Sequence, residues 1–310
     1  MTERDATTVT IPDGVVDRYP RFSLYNSPYP AHDRGHAIDL YPGTGVGISP
    51  VDGVVREVRT VGCPNREYAV EQDHVIVIDV DDDWCASAGI ERSLSARILH
   101  VDPAVRGGDR VSVGDSLGET VRSGFFGRWV DDHVHLEFRD RDADPFRASG
   151  SLRVAVGVDV EPVAWNGHGT VVETGASYAL LDGPPADDVD GYTAIASNEG
   201  TAIDGGLAHY AGGGALSGHG REGAVGRDGG ESHLSLLGQQ IGIAAGRTIS
   251  WADVDVLANG DRITGLSLFA ARGPSLGVKL VCPDSRFEVG TAVRVSIRES
   301  RDPIRLGVGR

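Results

Sequence analysis

Lysine is nearly absent from this 310-residue chain, because Lys279 is its only one. Arginine therefore carries almost every positive charge, and 45 acidic against 29 basic residues leave a net charge of −16. Without a basic stripe to neutralise phosphates, nucleic acid is not an expected partner. The acidic, lysine-poor composition instead predicts a surface adapted to high salt, where screening weakens self-repulsion. An acidic mesophilic protein from a GC-rich genome is the alternative.

Cysteine and long apolar runs are also scarce. Cys63, Cys85 and Cys282 show no CxxC spacing, which argues against a disulfide framework and against a structural zinc knuckle. No segment approaches the roughly 18 consecutive apolar residues that a membrane-spanning helix needs. The N-terminal sequence MTERDATTVTIPDG has charges where a signal peptide needs an apolar run. We therefore expect no membrane span and a cytoplasmic location.

Helical periodicity is missing as well, and short apolar runs between Gly, Pro and Asp turns predict an all-β protein. We expect residues 1–30 to be a lead-in packed on the next domain and residues 31–150 to form an antiparallel β-sandwich or barrel-sandwich-like domain. Residues 160–310 should form a second all-β domain, whose last strands, in residues 251–299, are expected to form a meander. Residues 81–92 are expected to be a hydrophilic excursion. Glycine is so frequent in residues 205–230 that no ordered core element is expected there.

One stretch, DHVHLEFRD at residues 132–140, concentrates the candidate chemistry. Four polar side chains alternate with three apolar ones: His133, His135, Glu137 and Arg139 with Val134, Leu136 and Phe138. This period of two predicts a strand with one face in a core. Burying the apolar side chains contributes roughly 1.5–3 kcal/mol each, which can hold two imidazoles side by side. The pattern indicates a metal or acid–base site; a polar strand face that happens to contain two histidines is the alternative.

Four motifs in residues 32–140 together resemble the lysostaphin-type zinc metallopeptidases. They are GHAIDLYPGTGVGISPVDGVV, the strand ending ARILH, the hairpin GGDRVSVGDSLG, and HVHLEFR, which is similar to the family's His-Leu-His-Phe-Glu strand. The resemblance covers about a third of the chain, and the last motif is the most specific. It implies an antiparallel β-sheet domain that cuts peptide cross-bridges of bacterial cell walls or related glycine-containing peptides.

The resemblance also implies the roles of individual residues. The implied zinc ligands are His36, Asp39 and His135. His100 and His133 would flank the metal and assist proton transfer, and Glu137 would orient a histidine from behind. Two imidazoles and one carboxylate suit Zn²⁺ and leave a coordination position open for water and substrate.

The first ligand pair departs from the family pattern. The family spaces its histidine and aspartate four residues apart, whereas His36 and Asp39 are three apart and Gly35 stands at the fourth position. On a regular strand, residues three apart point to opposite faces. A bulge permitted by Gly35 would restore convergence. His32 is the alternative ligand, and a degenerate metal-free site is the third possibility.

The sequence thus predicts a zinc-dependent hydrolase of a peptide or peptidoglycan-like substrate, with the oligomeric state left open. The alternative function is a catalytically degenerate domain that acts as a binding or scaffolding module, like the non-enzymatic relatives of the family. Four further histidines in the second half are expected to be solvated loop residues: His168, His209, His219 and His233.

Overall fold

A computed structural model describes residues 7–184, 191–216, 230–273, 276–284 and 286–307. Nearly all of its regular structure is β-strand, which confirms the predicted all-β class. The chain divides into two compact units, which are described separately below. No helix in the described ranges is long and apolar enough to cross a membrane.

The first unit comprises the residues up to Phe22 together with Pro30–Gly157. Its helices are short: α1 Asp13–Val16, α2 Pro30–Asp33 and α3 Asp82–Ser87. Its strands are β1 Thr8–Ile11, β2 Arg21–Ser23, β3 Ile38–Tyr41, β4 Val46–Ile48, β5 Gly53–Gly62, β6 Gln72–Val80, β7 Leu94–Leu99, β8 Val101–Pro103, β9 Arg110–Val111, β10 Ser116–Thr120, β11 Val134–Asp140 and β12 Arg153–Val156. Ser23–Tyr29 groups with the second unit, so the expected 1–30 lead-in is divided.

Six strands of the first unit lie side by side in the order β3-β11-β7-β6-β5-β9, and every pair is antiparallel. A smaller sheet has the order β4-β10-β8, and β1 pairs with β12 in parallel. Strand β11 therefore lies between β3 and β7. This position places its side chains next to those of two neighbouring strands.

Both faces of β11 are buried, although the alternation of apolar and polar residues predicts only one face in a core. Val134, Leu136 and Phe138 are inaccessible to solvent, but Glu137 and Arg139 are also buried. Buried charges require partners. The polar face of β11 is therefore an enclosed ion-pair cluster and not an exposed surface.

Residues 81–92, expected to be a hydrophilic excursion, contain the helix α3. Its side chains Trp84 and Cys85 are buried, and the Trp84 ring stacks on Phe138 with centroids 5.2 Å apart. Asp82 and Asp83 lie in its first turn, where negative charge is favourable. A helix of six residues is too short for its period to be recognised in the sequence.

The second unit comprises Ser23–Tyr29 together with the residues from Val158 onwards. Its strands are β13 Val160–Val163, β14 His168–Thr174, β15 Tyr178–Leu181, β16 Tyr192–Ile195, β17 Ala202–Leu207, β18 Gly212–Leu216, β19 Glu231–Leu236, β20 Gln239–Ala245, β21 Thr248–Trp251, β22 Val254–Ala258, β23 Asp261–Ile263, β24 Gly265–Leu268, β25 Ala270–Arg272, β26 Val278–Val281 and β27 Ala292–Glu299.

Twelve of these strands join in the order β19-β20-β21-β18-β17-β24-β26-β15-β14-β27-β22-β23. The expected meander is wrong, because β26 lies between β24 and β15, and β27 lies between β14 and β22. The individual runs are recognisable as strands from their apolar content. Their pairing depends on contacts between distant residues, which a single sequence does not display.

The expectation for residues 205–230 is wrong in its first half, because β17 and β18 extend through residues 202–216. Glycine is needed there for close packing: a Cβ at Gly214 would lie 1.9 Å from a ring carbon of Tyr25, and one at Gly213 would lie 2.2 Å from Trp251. Residues 217–229 lie outside the described ranges. Glycine here makes room for aromatic rings in an ordered sheet.

Candidate metal centre

Three buried residues with metal-binding side chains meet in the first unit. Asp39 lies on β3 and His135 on β11, and the antiparallel register makes them direct cross-strand partners. His32 comes from the short helix α2. The exposed fractions of His32, Asp39 and His135 are only 1%, 3% and 9%. Their ligand atoms all lie within 4.8 Å of one another.

The separations of these atoms match the spacing of zinc ligands. His32 Nε2 lies 3.4 Å from Asp39 Oδ1 and 3.3 Å from His135 Nδ1. His135 Nδ1 lies 2.9 Å from Asp39 Oδ1. Zinc bonds of about 2.0–2.2 Å in a tetrahedron separate neighbouring ligand atoms by roughly 3.3–3.6 Å. The two separations from His32 Nε2 fit that value, and the separation between His135 Nδ1 and Asp39 Oδ1 is at hydrogen-bond distance. The residues present therefore fit a zinc ion.

The structure groups His32, the alternative ligand, with Asp39 and His135, and His36, the expected first ligand, does not belong to this group. Helix α2 is followed by Gly35, which has a positive φ of 63° and lets the chain turn back. The backbone N–H of His36 closes this turn on the carbonyl of Ala31 at 2.7 Å. His36 is partly exposed, and its three-residue spacing from Asp39 opposes convergence on an extended chain. The turn brings His32 to Asp39 instead.

The two predicted assisting histidines lie beside the three-residue group. His133 Nδ1 is 2.8 Å from the carbonyl oxygen of Asp131, and its Nε2 is 3.4 Å from Asp39 Oδ1. The ring of His100 meets that of His133 edge-on at 5.0 Å and lies 5.6 Å from that of His135. A carbonyl partner at Nδ1 requires that nitrogen of His133 to donate, and Nε2 is the ring nitrogen that faces Asp39.

Glu137 lies where a supporting carboxylate was expected. Its Oε1 is 3.0 Å from His135 Nε2, on the side of the ring opposite Nδ1. Arg97 donates to the same oxygen at 2.6 Å, while Arg139 and Ser151 donate to the other oxygen. A histidine that binds metal through one nitrogen commonly donates its other N–H to such a carboxylate. With Nε2 of His135 bonded to Glu137, its Nδ1 is the nitrogen that faces Asp39 and His32.

The charges of the group depend on one another. Burial by itself would raise the pKa of Asp39, but His133 and His32 outweigh it and hold that pKa well below its usual range. Burial would likewise lower the pKa of His135, yet its hydrogen bonds to Asp39 and Glu137 raise the pKa to about 9. Burial dominates at His100 and lowers its pKa to about 4. In the absence of metal, a protonated His135 therefore bridges two carboxylates.

A loop of residues 121–133 ends at His133 and packs against His100, and we call it the cover loop. Its Phe126 ring lies 4.6 Å from the ring of His133 and 5.1 Å from that of His100. Arg122 fastens the loop by donating to the carbonyls of Gly127, Arg128 and Val130 and to the carboxylate of Asp132. The histidine cluster is thus buried next to a loop that is held together by hydrogen bonds of Arg122.

Sequence reasoning missed two residues that hold the site together. Asp73 contacts His100, and Arg97 forms an ion pair with Glu137. Asp73 lies on β6, outside the four motifs, and Arg97 lies on β7 inside the ARILH motif, where only the final histidine was considered. Arg97 faces Glu137 directly across the β7–β11 pair. Only the strand register reveals these partners, so no signal in the sequence identified them.

Comparison with known protein families finds one matching family model for each half of the chain. Residues 10–156 match the family model described as the N-terminal domain of a domain of unknown function, DUF8155. Residues 161–298 match the model described as its C-terminal domain. No curated protein and no solved structure matches the chain. Because the two matches together span nearly all of its length, the chain belongs to the DUF8155 family.

Proposed function

We propose that the protein is a zinc-dependent hydrolase of peptides, with its active site at His32, Asp39 and His135. The observation that carries the proposal is the triangle of ligand atoms, with edges of 3.4, 3.3 and 2.9 Å, beside two further histidines. Three protein ligands with one position left open are typical of catalytic zinc. The peptide class of substrate is supported by the resemblance of the His133–Arg139 strand to lysostaphin-type enzymes.

Each residue has a task that follows from its position. His32, Asp39 and His135 would hold the zinc ion, which lowers the pKa of a water molecule and polarises the scissile carbonyl. His133, whose Nδ1 is occupied by the Asp131 carbonyl, presents Nε2 towards the ligand group. His100 lies next to it, so two imidazoles are available to accept and donate protons. Glu137 orients His135 and excludes its other nitrogen from the metal.

A specific observation favours a second candidate, a metal-free binding module. Both ring nitrogens of His135 already have carboxylate partners, Asp39 and Glu137, and the group is almost fully buried. A protonated His135 satisfies these carboxylates without a metal. In that case the histidine cluster would be a structural ion-pair network next to the cover loop.

Hydrolysis of a mixed peptide library by the full chain, in about 1 M salt, separates the two candidates. The proposal expects cleavage that a chelator abolishes and added zinc restores. His133→Gln should lower kcat while leaving zinc bound, because His133 is not one of the ligands. A folded preparation that takes up no zinc and cuts no peptide would favour the metal-free binding module. Cleavage that survives complete metal removal would also contradict the proposal.

A further inference from the structure

Asp73 is a fully buried carboxylate that hydrogen-bonds one histidine of the site, His100. It lies near the start of β6 and is completely inaccessible to solvent. Its Oδ2 is 2.5 Å from His100 Nδ1, and its Oδ1 accepts the backbone N–H of His100 at 3.1 Å. The same Oδ1 accepts the N–H of His74 at 2.7 Å. One carboxylate thus holds both the ring and the backbone of His100.

The backbone of His100 is itself unusual, and it makes this double contact possible. His100 follows the end of β7 with a φ of 68°, a left-handed conformation that non-glycine residues rarely adopt. Such conformations persist where surrounding contacts over-determine them, and they cluster at functional sites. Here the contacts come from Asp73 on one side and from the rings of His133 and Phe126 on the other.

The hydrogen bond to Asp73 determines which nitrogen of His100 carries the proton. A carboxylate accepts, so neutral His100 donates through Nδ1 and keeps a lone pair on Nε2. Nδ1 is bonded to Asp73, so Nε2 is the ring nitrogen of His100 that remains available. The neighbouring rings of His133 and His135 lie 5.0 and 5.6 Å away. This arrangement has the logic of an aspartate that orients a catalytic histidine.

We propose that Asp73 is a positioning residue, which holds His100 in the Nδ1–H form so that Nε2 serves as the proton acceptor at the metal centre. This inference rests on the proposed function. In the hydrolysis, the water oxygen forms a bond to the carbonyl carbon as its proton passes to Nε2. The same proton then moves to the amide nitrogen as the C–N bond breaks. Asp73 remains a carboxylate throughout and does not contact the substrate.

The test measures the tautomer of His100 directly, by nitrogen NMR of histidine-labelled full-length protein at neutral pH. Wild type should show a protonated Nδ1 and an unprotonated Nε2. In Asp73→Asn the amide can donate to Nδ1, so the population should shift towards protonated Nε2. Ser123→Ala is the matched control, because it removes another hydrogen bond to Asp73 without touching His100 and should keep the wild-type tautomer.

Activity gives the second readout. Asp73→Asn should lower kcat by about 10–100-fold with little change in KM, the usual effect of losing such a supporting residue. Its zinc content should equal that of wild type, because Asp73 is not among the three ligand residues. In a His100→Ala background the same substitution should cause no further loss, since both residues act as one unit.

The outcomes distinguish this proposal from the proposed function. A protonated Nε2 in wild-type His100, or an unchanged tautomer and kcat in Asp73→Asn, would overturn the positioning role. Loss of kcat that persists in the His100→Ala background would overturn it as well. Absence of zinc from wild type would instead refute the proposed function. The tautomer of His100 recorded by NMR would then have no catalytic role.

Discussion

At the scale of single residues, local conformation determines which histidine joins the site. The sequence contains two histidines before Asp39, and the family pattern points to His36. A helical turn closed at Gly35 brings His32 to Asp39 instead. The remaining predicted residues, His100, His133 and His135, lie together. The alternation of side chains along a strand predicts how the residues of β11 are placed relative to one another. A short helix that ends at a left-handed glycine has no such period, so the position of His32 could not be predicted.

A second residue-scale correction concerns His209, which was expected to be a solvated loop histidine. It is fully buried in the second unit. His168 and His233 are exposed as expected, but they lie on strands β14 and β19 and not in loops. His219 lies outside the described residues. Burial, together with the nearby charge of Arg305, lowers the pKa of His209 to about 3. A buried neutral imidazole is therefore part of the second core.

This burial predicts a pH dependence of stability. Below about pH 6.5 the unfolded chain protonates His209 while the folded chain does not until about pH 3. The free energy of unfolding should therefore fall with falling pH in that window, with His209 contributing about 1.4 kcal/mol per pH unit. Denaturant titrations of His209→Gln should show a shallower slope than wild type. His168→Gln is the control, because it removes an exposed imidazole, and an identical slope in His209→Gln and wild type would refute the prediction.

At the scale of elements, apolar alternation predicts individual strands better than it predicts their neighbours. The runs that form β5, β6, β7 and β11 are all recognisable, because each buries several branched or aromatic side chains. The helix α3 and the glycine-rich pair β17–β18 are missed. In both cases tertiary packing against aromatic rings decides the structure, and local propensity alone points elsewhere.

The cover loop allows an element-scale prediction. Arg122 donates to three carbonyls and one carboxylate of this loop. Hydrogen bonds to a charged group contribute about 1.5–3 kcal/mol. Arg122→Ala should therefore speed amide hydrogen exchange across residues 123–132 by about tenfold or more.

Arg128→Ala is the matched control for that experiment. It removes an exposed guanidinium from the same loop, where Arg128 packs over the Tyr68 ring at 5.1 Å without tying the loop together. We expect its exchange to stay close to that of wild type. Equal acceleration in both variants would contradict the role assigned to Arg122.

At the scale of the whole molecule, the net charge of −16 predicts a dependence on salt. Raising ionic strength from about 0.1 to 1 M shortens the Debye length from about 10 to 3 Å and screens the repulsion between acidic side chains. The unfolding temperature should therefore rise with KCl. Sucrose at equal osmolality is the control, because it stabilises without screening charge. A flat or falling melting temperature in KCl would contradict the adaptation to high salt inferred from the composition.

The central claim is a zinc site formed by His32, Asp39 and His135. Its most direct test is the zinc content of the purified full chain after reconstitution in high salt, measured beside single alanine variants of the three histidines His32, His36 and His135. We expect about one zinc ion per chain in wild type and in His36→Ala, and loss of zinc in His32→Ala and His135→Ala. Zinc retained in His32→Ala but lost in His36→Ala, or no zinc in wild type, would contradict the account.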